Sequence, residues 1–221
     1  VCKEIKGQKL FGSAIILAGG RSSRMGFDKQ FIEINEKRLI EIMAARLSEA
    51  FDDIIIVTNR PEMYSCCKCK LTSDIIKGKG PLGGIHAGLL AAESEFVYVI
   101  ACDMPYINIE YIKHMEGVIE RRLEAVEGAD ACITLKGEWI EPFNAFYRKN
   151  LNKRIEEHLE SDKRAVYSLL KRLNTVYISE LEARRFSPDW SMFFNMNTME
   201  ELRRYSQVTQ EGKPNGKIQI L

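Results

Sequence analysis

The stretch from Leu17 to Lys29, LAGGRSSRMGFDK, sets Gly19, Gly20, Arg21, Arg24 and Lys29 directly after an apolar run of strand length. In an open parallel sheet, ligands bind at the carboxyl ends of the strands, so a loop in this position faces a ligand. Gly19 and Gly20 let the backbone come close and turn its N–H groups toward an anion. The three cations stand against the single carboxylate of Asp28. That chemistry suits a polyphosphate. The competing explanation is a plain strand-to-helix turn with solvated basic residues. Two named phosphate motifs fail here: the dinucleotide glycine spacing is missing, and neither this loop nor Gly78 to Gly84 ends in the Lys-Ser/Thr of a P-loop.

Three further stretches carry chemistry. In GPLGGIHAGL, Gly80 to Leu89, Pro81 sets a turn and Gly83 and Gly84 leave a surface against which a planar base could lie; the alternative is a helix opening on proline. His86 in that stretch is given no role. In CDMP, Cys102 to Pro105, Asp103 closes the longest apolar run, where it could hold a Mg²⁺ that bridges phosphate oxygens. As a helix N-cap it would lie several residues early. In FNMNT, Phe194 to Thr198, Asn195 and Asn197 alternate with apolar residues and would point the same way from an extended segment, to complete a Mg²⁺ shell or hold a phosphate. Turn and cap roles are the alternative for both.

These stretches need a scaffold. Strand-length apolar runs are predicted at Ser13 to Leu17, Asp53 to Thr58, Phe96 to Ala101, Ala131 to Leu135 and Thr175 to Ile178, with weaker ones at Lys70 to Thr72 and Phe143 to Tyr147. Helical stripes lie between them, at Leu39, Met43, Leu47 and Phe51 and at Ile112, Met115, Ile119 and Leu123. Thr198 and Glu201 have capping-box spacing. The alternation predicts an α/β fold with a parallel sheet and crossover helices. No repeat or linker divides the chain, so residues 1–205 are expected to form a single domain followed by a polar tail, 206–221, whose last residues could dock as an edge strand.

Composition excludes several classes. Thirty-two Lys and Arg against 31 Asp and Glu leave a net charge of +1, which argues against bulk binding to nucleic acid or an anionic membrane. No apolar run approaches the roughly 18 residues of a membrane span, and Ala14 to Ala18 is too short for a signal-peptide core. A cytoplasmic location is expected. The cysteines are too few and uneven for a disulfide framework, and Cys66, Cys67 and Cys69 lack a second Cys or His pair at metal-site spacing.

Taken together, the four stretches resemble the molybdenum cofactor guanylyltransferases, which make the guanine dinucleotide form of molybdopterin. The family's LAGG, Arg-Met-Gly and Asp-Lys match Leu17 to Gly20, Arg24 to Gly26 and Asp28 to Lys29. Its GPL-Gly matches Gly80, Pro81, Leu82 and Gly84, its aspartate before proline matches Asp103 with Pro105, and its Asn-x-Asn-Thr matches Asn195, Asn197 and Thr198. Met199 replaces the usual following proline. The resemblance runs from about Ser13 to Tyr205.

It implies a three-layer, Rossmann-like nucleotidyltransferase fold with a mostly parallel central sheet, acting on GTP and molybdopterin with Mg²⁺. On that basis Leu17, Ala18, Gly19, Gly20, Lys29, Asp74, Gly80, Gly84 and Asp103 bind the nucleotide. The amides of Ala18 to Gly20, with Arg24 and Lys29, hold the leaving pyrophosphate, while Asp103 holds the metal with Asn195 or Asn197. The pterin would enter through Trp139 to Tyr147 and the turn at Ser161 to Arg164, where Arg164 could bind its phosphate. Transient contact with cofactor-delivery proteins or molybdoenzymes fits such a role. Guanine over cytosine rests mainly on Gly20 and the GPLGG segment, since the related cytidylyltransferases tend to carry alanine within LAGG. A cytidylyltransferase acting on molybdopterin or on a small phosphorylated metabolite is the alternative, and a metal-binding or carrier protein built on the cysteine cluster is a third.

Overall fold

The structure is a computed structural model that describes residues 4–5, 7–19, 32–34, 37–64, 69–161, 164–208 and 218–220. Strands β1 (Glu4–Ile5) and β2 (Gln8–Lys9) pair as a small hairpin. The chain then enters β3 (Ser13–Leu17), whose alternate side chains go to opposite layers: Ala14 and Ile16 to one, Ile15 to the other. Next come β4 (Ile32–Ile34), β5 (Lys37–Arg38) and helix α1 (Leu39–Leu47). The predicted stripe ends one turn early. Phe51 lies beyond the helix, and its N–H donates to the Leu47 carbonyl, which keeps its ring in the core.

β6 (Asp53–Val57) and β7 (Lys70–Thr72) precede helix α2 (Pro81–Ala91), which is buried along almost its whole length. Such burial explains its apolar character on every side, a pattern that periodicity cannot resolve. A Cβ on Gly88 would stand 2.5 Å from Ile15 Cδ1, so α2 sits hard against β3 and its start is fixed at the sheet edge. β8 (Phe96–Ala101) leads to α3 (Ile109–Glu124), whose N-cap is Asn108, accepting from the Tyr111 N–H at 3.0 Å. Asp103 is therefore not the cap.

β9 (Ala131–Lys136) turns into β10 (Trp139–Arg148), which is twice the predicted length. Helices α4 (Asn152–Glu160) and α5 (Val166–Leu170), strand β11 (Thr175–Ile178) and helices α6 (Glu180–Ala183) and α7 (Met199–Val208) follow. Helix α7 starts at the predicted capping box: the Thr198 N–H donates to Glu201 Oε2 at 2.8 Å and the Glu201 N–H to Thr198 Oγ1 at 3.2 Å. β12 (Ile218–Ile220) pairs antiparallel with β4.

The central sheet has seven strands in the order β11-β9-β10-β8-β3-β6-β7. All run parallel except β10, which is antiparallel to both neighbours. The layer with α1, α3 and α7 packs on Ala14, Ile16, Ile54, Ile56, Tyr98 and Ile100. The layer with α2, α4 and α5 packs on Ile15, Ile55, Val97 and Val99. The result is the expected three-layer α/β fold with a mostly parallel sheet.

Candidate active site

Backbone bonds lace the carboxyl ends of four adjacent strands into one edge. The Ala18 N–H donates to the Val57 carbonyl at 2.8 Å, the Thr58 N–H to Thr72 at 2.8 Å and the Cys102 N–H to Leu17 at 3.1 Å. One expectation is corrected here: the Ala18 amide extends the sheet and is already donated, so it is not an anion donor. The apolar residues that end each strand bring the polar ones after them to a common rim.

Leu17, Gly19, Asp74 and Gly84 meet there. A Cβ on Gly84 would lie 3.0 Å from Leu17 Cδ2 and 3.6 Å from Asp74 Oδ1, and one on Gly19 would lie 3.9 Å from Asn59 Nδ2. Asn59 Nδ2 donates to Asp74 Oδ2 at 3.0 Å and so fixes that carboxylate against the glycine surface. Sequence reading missed Asn59. Its signal was a polar residue immediately past a strand exit, the same signal that singled out Asp103. Gly80 is the N-cap of α2 and adopts φ +65°, where glycine meets no Cβ penalty. Arg164 Nη1 reaches the Gly78 carbonyl at 3.5 Å, which puts the guanidinium on the α2 side of the edge.

Asp103 follows β8 in a turn closed by the Met104 N–H on the Ala101 carbonyl at 3.0 Å. The Met196 N–H donates to the Asp103 carbonyl at 2.7 Å, so the structure brings the Asn195 to Asn197 segment against this turn. Met196 is buried, whereas Asn195 and Asn197 on either side of it are exposed. Asn197 Nδ2 donates to the Asn195 carbonyl at 3.2 Å. Gly20, Arg24 and Lys29 lie outside the described residues, as do Cys66 and Cys67.

Beyond Asp103 the edge is shaped by a break in β10. Its register against β9 shifts between Glu141 and Phe146, and Asn144 sits in that bulge at φ +60°. Asn144 is buried, and sequence reading missed it inside an apparently apolar strand. Glu141 accepts from Trp190, and burial pushes its carboxyl up while Lys136 opposes the shift. Lys136 Nζ and Arg184 Cζ lie 5.2 and 5.0 Å from the centre of the Trp190 ring.

Elsewhere, His86 is buried and its Nε2 is 2.8 Å from Glu156 Oε1, which makes it a link between α2 and α4. Burial raises the Cys69 thiol. Among the described residues no group of three or more His, Cys, Asp or Glu could hold a metal, and no helix is long and apolar enough to cross a membrane.

Residues 14–176 match the model of the MobA-like NTP transferase domain. A probable molybdenum cofactor guanylyltransferase of Peptoclostridium acidaminophilum is 84% identical over the full length of both chains. The molybdenum cofactor guanylyltransferase of Syntrophotalea carbinolica is 49% identical over 88% of this chain and 90% of its own. Among solved structures, the molybdopterin-guanine dinucleotide biosynthesis protein A of Archaeoglobus fulgidus superposes with a TM-score of 0.75 at 28% identity, covering 90% of this chain and 99% of that one. A glycine-walled rim beside a strand-exit aspartate, on this fold and with these relatives, is that of a nucleotidyltransferase, and the chain belongs to the MobA-like family of molybdenum cofactor guanylyltransferases.

Proposed function

We propose that the enzyme transfers GMP from GTP to the terminal phosphate of molybdopterin and releases pyrophosphate, acting in the cytoplasm. The observation that carries this reading is the adjacency of two half-sites on one sheet edge: Gly19, Asn59, Asp74 and Gly84 on one side, Asp103 with the 195–197 segment on the other.

In the first half the glycine surface accepts the base, and Asp74, held by Asn59, accepts from the nucleoside's N–H or O–H donors. In the second, an oxygen of the acceptor phosphate attacks the α-phosphorus in line as the bond to the leaving pyrophosphate breaks. Arg24 and Lys29 neutralise that leaving group. Positioning and charge neutralisation supply most of the acceleration in such a transfer. One carboxylate beside neutral amides is a hard-oxygen donor set, and it suits a Mg²⁺ that keeps its waters and shares substrate phosphates. Asp103 would hold that ion, with Asn195 or Asn197 beside it, and the ion would neutralise the α-phosphate. Arg164 binds the acceptor's phosphate. Cofactor-delivery proteins or molybdoenzymes are the expected transient partners.

The test is pyrophosphate release and dinucleotide formation with isolated molybdopterin and Mg²⁺, with GTP, CTP, ATP and UTP in competition. A site built for guanine leaves buried groups unpaired against cytosine at about 1 to 3 kcal/mol each, so GTP should be preferred by at least roughly a hundredfold in kcat/KM. Equal use of GTP and CTP overturns the guanine assignment.

A further inference from the structure

We infer that Asn144 is a positioning residue for the transfer step: it fixes where the segment carrying Asn195 and Asn197 lies against Asp103. The functional part of this inference rests on the proposed role of those three residues.

The amide is 1% exposed and is used at both ends. Tyr98 Oη donates to Asn144 Oδ1 at 2.6 Å, and Asn144 Nδ2 donates to the Met192 carbonyl at 3.1 Å. Tyr98 is fully buried in the middle of β8. The Met192 carbonyl can only accept, and that settles the orientation of the amide: nitrogen toward Met192, oxygen toward the Tyr98 hydroxyl.

The connection continues to the site. Four residues after Met192, the Met196 N–H is bonded to the Asp103 carbonyl at 2.7 Å. Asn195 and Asn197 are thus carried by a short segment bonded at 192 to β10 and at 196 to the turn after β8. Met192, Phe193 and Met196 are buried and hold this segment against the sheet. Apolar contact, however, is non-directional and does not fix a segment along its own length. A hydrogen bond from a rigid donor does.

The backbone of β10 is adapted to place that donor. Ala145, Phe146 and Tyr147 pair in register with Val99, Tyr98 and Val97, and the break begins just beyond them. Asn144 takes φ +60° there, a left-handed conformation that asparagine tolerates better than most residues. A local conformational cost at a fully bonded buried amide, one strand away from Asp103, is what a positioning device requires.

Three variants separate this role from simple support of the fold. Asn144→Gly accepts the same backbone angle and deletes the amide. Asn144→Asp keeps the acceptor for Tyr98 but sets a carboxylate oxygen against the Met192 carbonyl. Tyr98→Phe removes the other bond and leaves the one to Met192. In the protein without substrate or metal, hydrogen exchange at the Met196 amide should quicken by about tenfold or more in both Asn144 variants, with the amides of β3 and β8 unchanged.

In the transfer assay both should lower kcat by about tenfold to a hundredfold, the scale of a small misplacement of reacting groups, with KM for GTP within about threefold. Tyr98→Phe should stay within about threefold of the parent in kcat. Unaltered exchange at Met196, equal changes in kcat and KM, or an equal loss in Tyr98→Phe overturns the inference. A parent that transfers no GMP rejects the functional reading instead, and the exchange rates still decide whether Asn144 fixes the segment.

Discussion

A carboxylate that leaves a buried strand with its own backbone carbonyl bonded to Met196 has little freedom to relocate, which makes Asp103→Asn a clean probe of charge. The variant should keep the fold and lose about a thousandfold or more in rate, as expected when a metal ligand worth several kcal/mol in the transition state is removed. Activity within tenfold of the parent rejects Asp103 as the main ligand. Asp103 was legible in the sequence because it ends the longest apolar run, and the asparagine pair was legible from its alternation with Phe194 and Met196. Asn144 was not, because nothing local marks a polar residue whose partners lie 46 and 48 positions away. Ala18 was misjudged for the converse reason: one residue past a predicted strand, its amide still belongs to the sheet.

Helix α3 shows how an element can carry a cost that the site does not need. Burial, reinforced by Glu120 and opposed by Lys113, raises the Glu116 carboxyl from its ordinary range to about 7. The folded state therefore holds a proton that the unfolded chain has lost above about pH 4.5. Stability from this group is complete below that pH and is lost as pH rises through 7. Glu116→Gln should raise the melting temperature at pH 8 by about 2 to 4 °C, and it should flatten the decline seen between pH 5 and 7. An unchanged profile shows that Glu116 is solvated.

Elements of this kind, with a clear apolar period, were readable from the order of residues alone. Helices α4 to α6 were not, being short or strongly polar, and β10 was cut short in the reading because Trp139 to Pro142 lie before its bulge.

At the scale of the whole molecule, the proposed function couples ligand to fold, since a nucleotide bound at the edge would bridge strands that otherwise meet only through the sheet. GTP at about 100 times its dissociation constant should stabilise by about 2.7 kcal/mol and raise the melting temperature by about 5 to 10 °C, with CTP giving much less. A thermal-shift series reads this directly, and equal shifts count against a guanine site. Chain order divides the same edge. Gly19, Asn59, Asp74 and Gly84 come from the first 91 residues, whereas Asp103, Asn144 and the 192–197 segment all come later, and the seam between them is the β3–β8 pair. On the proposed reading, one crossover between Ala91 and Phe96 would exchange the residues assigned to the base while keeping Asp103 and the 192–197 segment, and the incoming half would have to repack against Val97, Val99 and Ile100. Recombination at that seam would then change the choice of base apart from the metal-holding turn, with the β3–β8 packing as the constraint on which halves can be joined.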